Sequence, residues 1–152
     1  FQHFQEFKNR IGAIGPSRDK WFADPAARDQ ICVNILHAAD LSNPCRMFEM
    51  AHRWARLVLR EFFAQGDLEV KCGLPVSPMC SRDTTLLAAS QIGFINFVIL
   101  PYFKVMGEVL PEVQMLVRQV EANLHRWQSL EKRRPAVFTT PGPEPSGSAC
   151  EG

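Results

Sequence analysis

Apolar residues recur at intervals of three and four along nearly the whole chain, and this periodicity constrains the fold more than any other feature. From Phe48 the series continues through Ala51, Trp54, Ala55, Val58 and Phe62, which turns one face of a helix toward a core. Strand-like alternation is scarce and no internal repeat is visible, so the chain is expected to be all-α.

A first helix is predicted over Phe1 to Ile14, with Phe4, Phe7, Ile11 and Ile14 on one stripe and Gly15-Pro16 ending it. SRDKWFADPAARD reads as a polar connector. A second helix, about Ala26 to Ala39, contains the apolar run ICVNILHAA, which reads as buried, and delivers Asp40 at its C-terminal end. Asn43-Pro44 reads as an N-cap followed by Pro in the first turn of a third helix, and Gly66-Asp67 is expected to break that helix. A short helical turn at DLEVKCG and the loop LPVSPMC follow. The fourth helix is predicted from about Asp83, with Pro101 kinking or dividing it. A last helix starts near Pro111 and points Val113, Leu116, Val120, Leu124 and Trp127 inward. Beyond it, residues 135–152 are rich in Pro, Gly and Ser, lack apolar surface, and are expected to be disordered.

The 152 residues, 46% of them hydrophobic, suffice for one domain or a large piece of one. A net charge of +1 gives no attraction to nucleic acid or to an anionic membrane. Five cysteines, with no CxxC spacing and no secretory leader, fit a reducing, cytoplasmic setting. The apolar stretch from Leu86 to Leu100 is about fifteen residues with Ser, Gln and Asn inside it, short of the roughly twenty that span a bilayer, and is expected to be a core helix. The chain opens on FQHFQEF without an initiator Met, so an upstream part is expected.

Two places carry chemistry. Asp40 closes an apolar run at a helix C-terminus, where the helix dipole disfavours a carboxylate and a cation would relieve it. It reads either as a surface carboxylate or as a metal ligand. Gln91 lies within an apolar helix and shares a face with Phe94, placing an amide and a ring side by side. A carboxamide can match the hydrogen-bonding edge of a purine while a ring stacks on its face, and Gly93 permits close approach. The alternative is an internally satisfied core glutamine. No GxSxG, Walker-type loop or HExxH occurs, and the four histidines, His3, His37, His52 and His125, are scattered. These residues alone do not assemble a complete metal site.

Four stretches, HAADLSNP, EFFAQGD, GLPVSPMC and SQIGFINFVILPYF, occur in the order and spacing of the class I cyclic nucleotide phosphodiesterase catalytic domain, which the chain resembles up to about Trp127. The resemblance implies an all-helical domain that hydrolyses the 3′ phosphoester of cAMP or cGMP to give 5′-nucleoside monophosphates in signal transduction. Residues 1–134 would form its C-terminal portion. By position, Asp40 matches an aspartate that ligates a tightly bound metal, usually zinc, beside a second metal, magnesium or manganese. Gln91 matches the glutamine that holds the purine, Phe94 the ring that stacks on it, and Val58 the apolar residue on the purine's other face. Asn43 matches a polar pocket residue, and Phe62 and Met79 match pocket walls. Phe62, Phe63 and Trp54 are read as core residues first, and His37 as a core or second-layer histidine.

The family's other metal ligands and its general-acid histidine lie upstream of the matched region, so no catalytic residue of that kind is in this chain. Any homodimer is expected to form through parts outside it. Ser81 stands where an aspartate is frequent, and Ala51 and Ala55 stand where larger pocket residues are common. The alternative is a non-catalytic helical regulatory or interaction fragment that keeps only the nucleotide-pocket half.

Overall fold

The computed structural model describes residues 2–133, and the expected disorder of 135–152 lies outside them. Seven α-helices account for most of the described residues, with no strand among them. They are α1 (Gln2–Ile14), α2 (Arg18–Ala23), α3 (Pro25–Asp40), α4 (Phe48–Lys71), α5 (Leu87–Phe94), α6 (Leu100–Val109) and α7 (Gln114–Arg133). Short 3-10 turns at Asn43–Cys45 and Pro111–Val113 precede α4 and α7, and a π turn at Ile95–Ile99 joins α5 to α6.

Phe7 and Ile11, one turn apart on α1, are buried as their spacing predicts. Gly15, at φ +80, ends the helix with its N–H on the Ile11 carbonyl at 2.8 Å. The expected connector contains α2 instead. Trp21 is fully buried there, with its ring edge-on to Phe7 and its Nε1 donating to the Gly15 carbonyl at 2.8 Å. One large apolar residue outweighs a polar local composition when its indole N–H finds a partner. Asp24 then caps α3 by accepting the Ala26 N–H at 3.0 Å, with Pro25 at the first helical position.

The buried line of α4 is Phe48, Ala51, Ala55, Leu59, Phe63 and Gly66. Trp54, Val58 and Phe62 form a neighbouring line, so Trp54, read as core, is 42% exposed. Nor does Gly66 break the helix. α4 continues to Lys71, and a Cβ at Gly66 would collide with the carbonyl of Cys80. That glycine serves as a seat for the following loop. The helix after the loop starts at Leu87, later than Asp83, because residues 82–84 form a turn.

α5, the π turn and α6 make one continuous helical run, Leu87–Val109, of 23 residues. This exceeds the fifteen-residue stretch read from the sequence and is long and apolar enough to cross a bilayer by length and composition. Its inward residues Ile95, Ile99, Phe103 and Met106 are fully or almost fully buried, and the run packs against α7. Pro101 stands in the first turn of α6 and cannot donate to the helix; immediately before it, the Leu100 N–H bonds to the Ile95 carbonyl, five residues back. On α7 the centre of the buried face is Val117, Val120, Asn123 and Trp127, while Val113, Leu116 and Leu124 are half-buried at its margins.

Candidate functional site

The site is built where α3 ends, α4 begins and α5 passes both. α3 closes as Leu41 N–H bonds to the His37 carbonyl at 3.1 Å and Ser42 N–H to that of Ala39 at 3.2 Å. The chain then makes the 3-10 turn Asn43–Cys45. Asn43 does not cap α4: its carbonyl accepts the Arg46 N–H at 3.3 Å, and Met47 occupies the cap position without a side-chain bond. The turn is held from below by Asn123, whose Nδ2 donates to the carbonyls of Pro44 at 2.8 Å and Arg46 at 2.7 Å. Buried carbonyls in a turn need such a partner.

Above this turn lies a cavity of about 240 Å³. Asp40 and Asn43 line it from the α3–α4 connection, Trp54, Val58 and Phe62 from α4, and Gln91 and Phe94 from α5. Leu41, Pro44, Ala51 and Ala55 complete the wall. The two alanines are almost fully buried, and their short side chains leave the space that larger residues would fill. Five of the six predicted binding residues and the predicted metal ligand therefore share one cavity. Met79 does not line it: it lies in the loop before α5, 42% exposed, at φ +67.

Gln91 and Phe94 lie one turn apart on α5, both half-buried. The Gln91 amide makes no hydrogen bond within the described residues, whereas nearby Ser90 uses its Oγ on the Leu86 carbonyl at 2.8 Å. A half-buried carboxamide without a protein partner beside an aromatic ring can hold a flat polar heterocycle, with Val58 and Phe62 supplying apolar walls. Trp54, read as core first and as a pocket residue only second, joins them. Its four-residue spacing to Val58 and eight to Phe62 was the signal available in the sequence.

Asp40 is exposed rather than enclosed, and so is much of the helix before it: Val33, Ile35, Leu36 and His37 all face outward on α3. Only Ile31, Asn34 and Ala38 are buried from the run expected to lie in the core. Asn34 is the polar centre of that side, with its Oδ1 accepting the Tyr102 hydroxyl at 2.8 Å and its Nδ2 donating to the Gln30 carbonyl at 2.8 Å. Burial pushes the Tyr102 hydroxyl up to about 12 and, on the other side of the site, the Cys45 thiol up to about 12. Neither ionises near neutrality.

Among the described residues, no three His, Cys, Asp or Glu side chains cluster as a metal site. A zinc site uses three or four protein ligands and a magnesium site several oxygens, so Asp40 alone does not hold either ion. The described residues place one exposed carboxylate at the edge of a cavity that an amide and aromatic rings also line.

Residues 1–120 match the family described as 3′5′-cyclic nucleotide phosphodiesterase. The rat dual specificity calcium/calmodulin-dependent 3′,5′-cyclic nucleotide phosphodiesterase 1B is 39% identical over 103 residues, 68% of this chain and 19% of the relative. A Drosophila melanogaster 3′,5′-cyclic-AMP phosphodiesterase, isoform F, is 36% identical over 121 residues, 79% of this chain and 17% of the relative. The chain thus spans about a fifth of the length of the curated relatives it matches. Among solved structures, that of LmjPDEB1 in complex with IBMX superposes with a TM-score of 0.77 at 31% identity, over 88% of this chain and 39% of that one. With most of its length in the family pattern and its helices superposing on a solved phosphodiesterase, this chain belongs to the 3′5′-cyclic nucleotide phosphodiesterase family.

Proposed function

We propose that this chain forms the nucleotide-binding part of a metal-dependent enzyme that hydrolyses cAMP, cGMP or both to 5′-nucleoside monophosphates. The observation that carries the reading is the free amide of Gln91 beside the Phe94 ring, in one cavity with Val58, Phe62, Asn43 and Asp40. Gln91 binds the purine edge, Phe94 and Val58 clamp its faces, and Asn43 adds a polar contact. A carboxamide that can rotate presents either hydrogen-bonding pattern, which accommodates adenine and guanine alike. Asp40 contributes one ligand to a pair of divalent ions, zinc with magnesium or manganese, whose other ligands come from outside this chain. When bound, such ions activate water and offset phosphate charge. The test is turnover of both nucleotides by the full-length protein and its Asp40→Asn form, which should lose metal and most activity. Unchanged turnover and metal content overturn the assignment.

A second reading is favoured by the lack of a three-ligand cluster among the described residues. The chain would then be a binding or regulatory module that takes up cyclic nucleotide without cleaving it. Calorimetric binding of cyclic nucleotide with no release of 5′-monophosphate, in the presence of zinc and magnesium, distinguishes this reading from the first.

A further inference from the structure

Between α4 and α5 the chain makes a loop, residues 72–86, that touches α4 at a few defined points. One is Ser77. Its Oγ donates to Glu69 Oε1 at 2.7 Å, and its backbone N–H donates to Glu69 Oε2 at 2.7 Å. Both oxygens of one carboxylate are thus committed to one serine, with Gln65 Nε2 adding a third bond to Oε1 at 2.8 Å. Further along, the Cys80 carbonyl sits on Gly66, and Arg82 pairs with Asp67 at 2.7 Å. The serine–carboxylate pair latches the tip of the loop; the other two contacts hold its base.

The residues flanking Ser77 are open. Leu74, Pro75, Val76, Pro78 and Met79 are all exposed, and Ser77 itself is half-buried. The Cys80 N–H, which reaches back to the Ser77 carbonyl at 3.1 Å, is the backbone bond that closes the turn. Pro75 and Pro78 disfavour helical backbone at Leu74 and Ser77. Among the described residues, Ser77 is the one serine or threonine followed directly by proline. A loop serine that directly precedes proline, with exposed residues on both sides, carries the sequence feature that a proline-directed protein kinase reads.

We propose that Ser77 is a phosphorylation site, and that its modification releases the tip of this loop from α4. In the reaction, Ser77 Oγ attacks the γ-phosphorus of ATP, its proton passes to the kinase's base, and the bond to ADP breaks as the Oγ–P bond forms. The product carries about −1.5 to −2 charges near neutrality and has lost the hydroxyl proton that Glu69 accepted. A donor facing a carboxylate becomes a dianion facing a carboxylate. The neighbouring cation, Arg82, is engaged with Asp67 and lies beyond the Gly66–Cys80 contact. Because α4 and α5 form two walls of the cavity, freeing the loop between them gives the modification a route to the site.

The experiment treats the full chain with a purified proline-directed serine/threonine kinase and Mg-ATP, and maps phosphate by mass spectrometry. Thr140, which also precedes proline, is replaced by alanine so that incorporation reports on Ser77. Phosphate is expected at Ser77 and absent from Ser77→Ala. Amide exchange at residues 77 and 80 should then rise by about tenfold or more. In Glu69→Gln, where a neutral amide faces the phosphate, the same modification should raise exchange much less. Labelling of a 73–82 peptide but not of the chain overturns the site. Labelling without faster exchange, or equal acceleration in Glu69→Gln, overturns the release mechanism. Neither readout depends on nucleotide hydrolysis, so failure here is separable from failure of the proposed activity.

Discussion

Nδ2 of Asn123, buried on α7, lies 2.8 Å from the carbonyl oxygen of Pro44, in the turn that presents Asn43 to the cavity. The same nitrogen reaches the Arg46 carbonyl at 2.7 Å. Asn123→Leu keeps the bulk but leaves two carbonyls without their donor. We expect a loss of about 2–3 kcal/mol in urea unfolding, together with weaker nucleotide binding as the turn loosens. Retention of full stability would mean that water replaces the amide.

Gly66→Ala tests the contact between α4 and the loop. The new methyl would meet the backbone of Cys80, which cannot move aside as a flexible side chain could. The intrinsic helical preference of alanine favours the substitution by up to about 1 kcal/mol, while overpacking opposes it by about 1–3 kcal/mol. The expected outcome is net destabilisation, measured by thermal or chemical unfolding. A stabilised variant would show that the loop shifts without cost.

Phe94→Ala should reduce affinity for cyclic nucleotide by about 1–3 kcal/mol, the range for removing one aromatic face from a stacked base. Gln91→Ala should also weaken binding. Leucine at position 91 fills the space without a donor or acceptor, and binding as tight as that of the native protein would remove the hydrogen-bonding role. Titration calorimetry on the chain, or KM on the full-length enzyme, gives the comparison.

The pH dependence of stability is expected to include a contribution from His52. Its ring stacks on Trp127 at 5.3 Å, and burial, followed by the charge of Arg56, lowers its pKa below the ordinary histidine value. Between the unfolded value and the lower folded one, the unfolded chain binds more protons, so stability falls as pH drops through that interval. Chemical denaturation at about pH 7 and about pH 5 should show a larger acid loss for the native chain than for His52→Gln. An identical loss in both would assign the effect elsewhere.

Tyr102→Phe removes the hydroxyl that Asn34 accepts at 2.8 Å on the buried side of α3. The Oδ1 is then left without that donor, and a cost of about 1–3 kcal/mol is expected. Asn34→Ala introduced on top of Tyr102→Phe should add little further loss if the two residues act as one unit. Additive losses in this double-mutant cycle would show that they act separately.

The helical class was legible because amphipathic spacing needs no tertiary information, and Phe7, Ile11, Val120 and Trp127 occupy the buried positions their spacing implies. Gln91 and Phe94 stood out because an amide interrupts an apolar face, and Asp40 because a carboxylate closes an apolar run at a helix end, whereas Asn43, Val58 and Phe62 followed from the resemblance. Other features depend on partners distant in sequence. Asn123 looked like any polar residue on α7, and only the turn at Pro44 makes it indispensable. Gly66 looked like a helix breaker because its constraint, the Cys80 carbonyl, arrives fourteen residues later. Trp21 was lost in a polar stretch because one residue has no period. The outward face of α3 misled in the opposite direction: a run apolar on nearly every side cannot say which side is covered.

The π turn at Ile95–Ile99 lets one helical rod serve two directions. An ordinary helix would tie the azimuth of Gln91 and Phe94 to that of Tyr102, Phe103 and Met106; a wider turn inserts a rotational offset between them. Winding the same residues as a regular helix would swing one half by about 100° relative to the other. Deleting one residue within the turn should therefore be tolerated better than inserting one, because deletion with regular winding keeps the two faces aligned while an insertion adds a further offset.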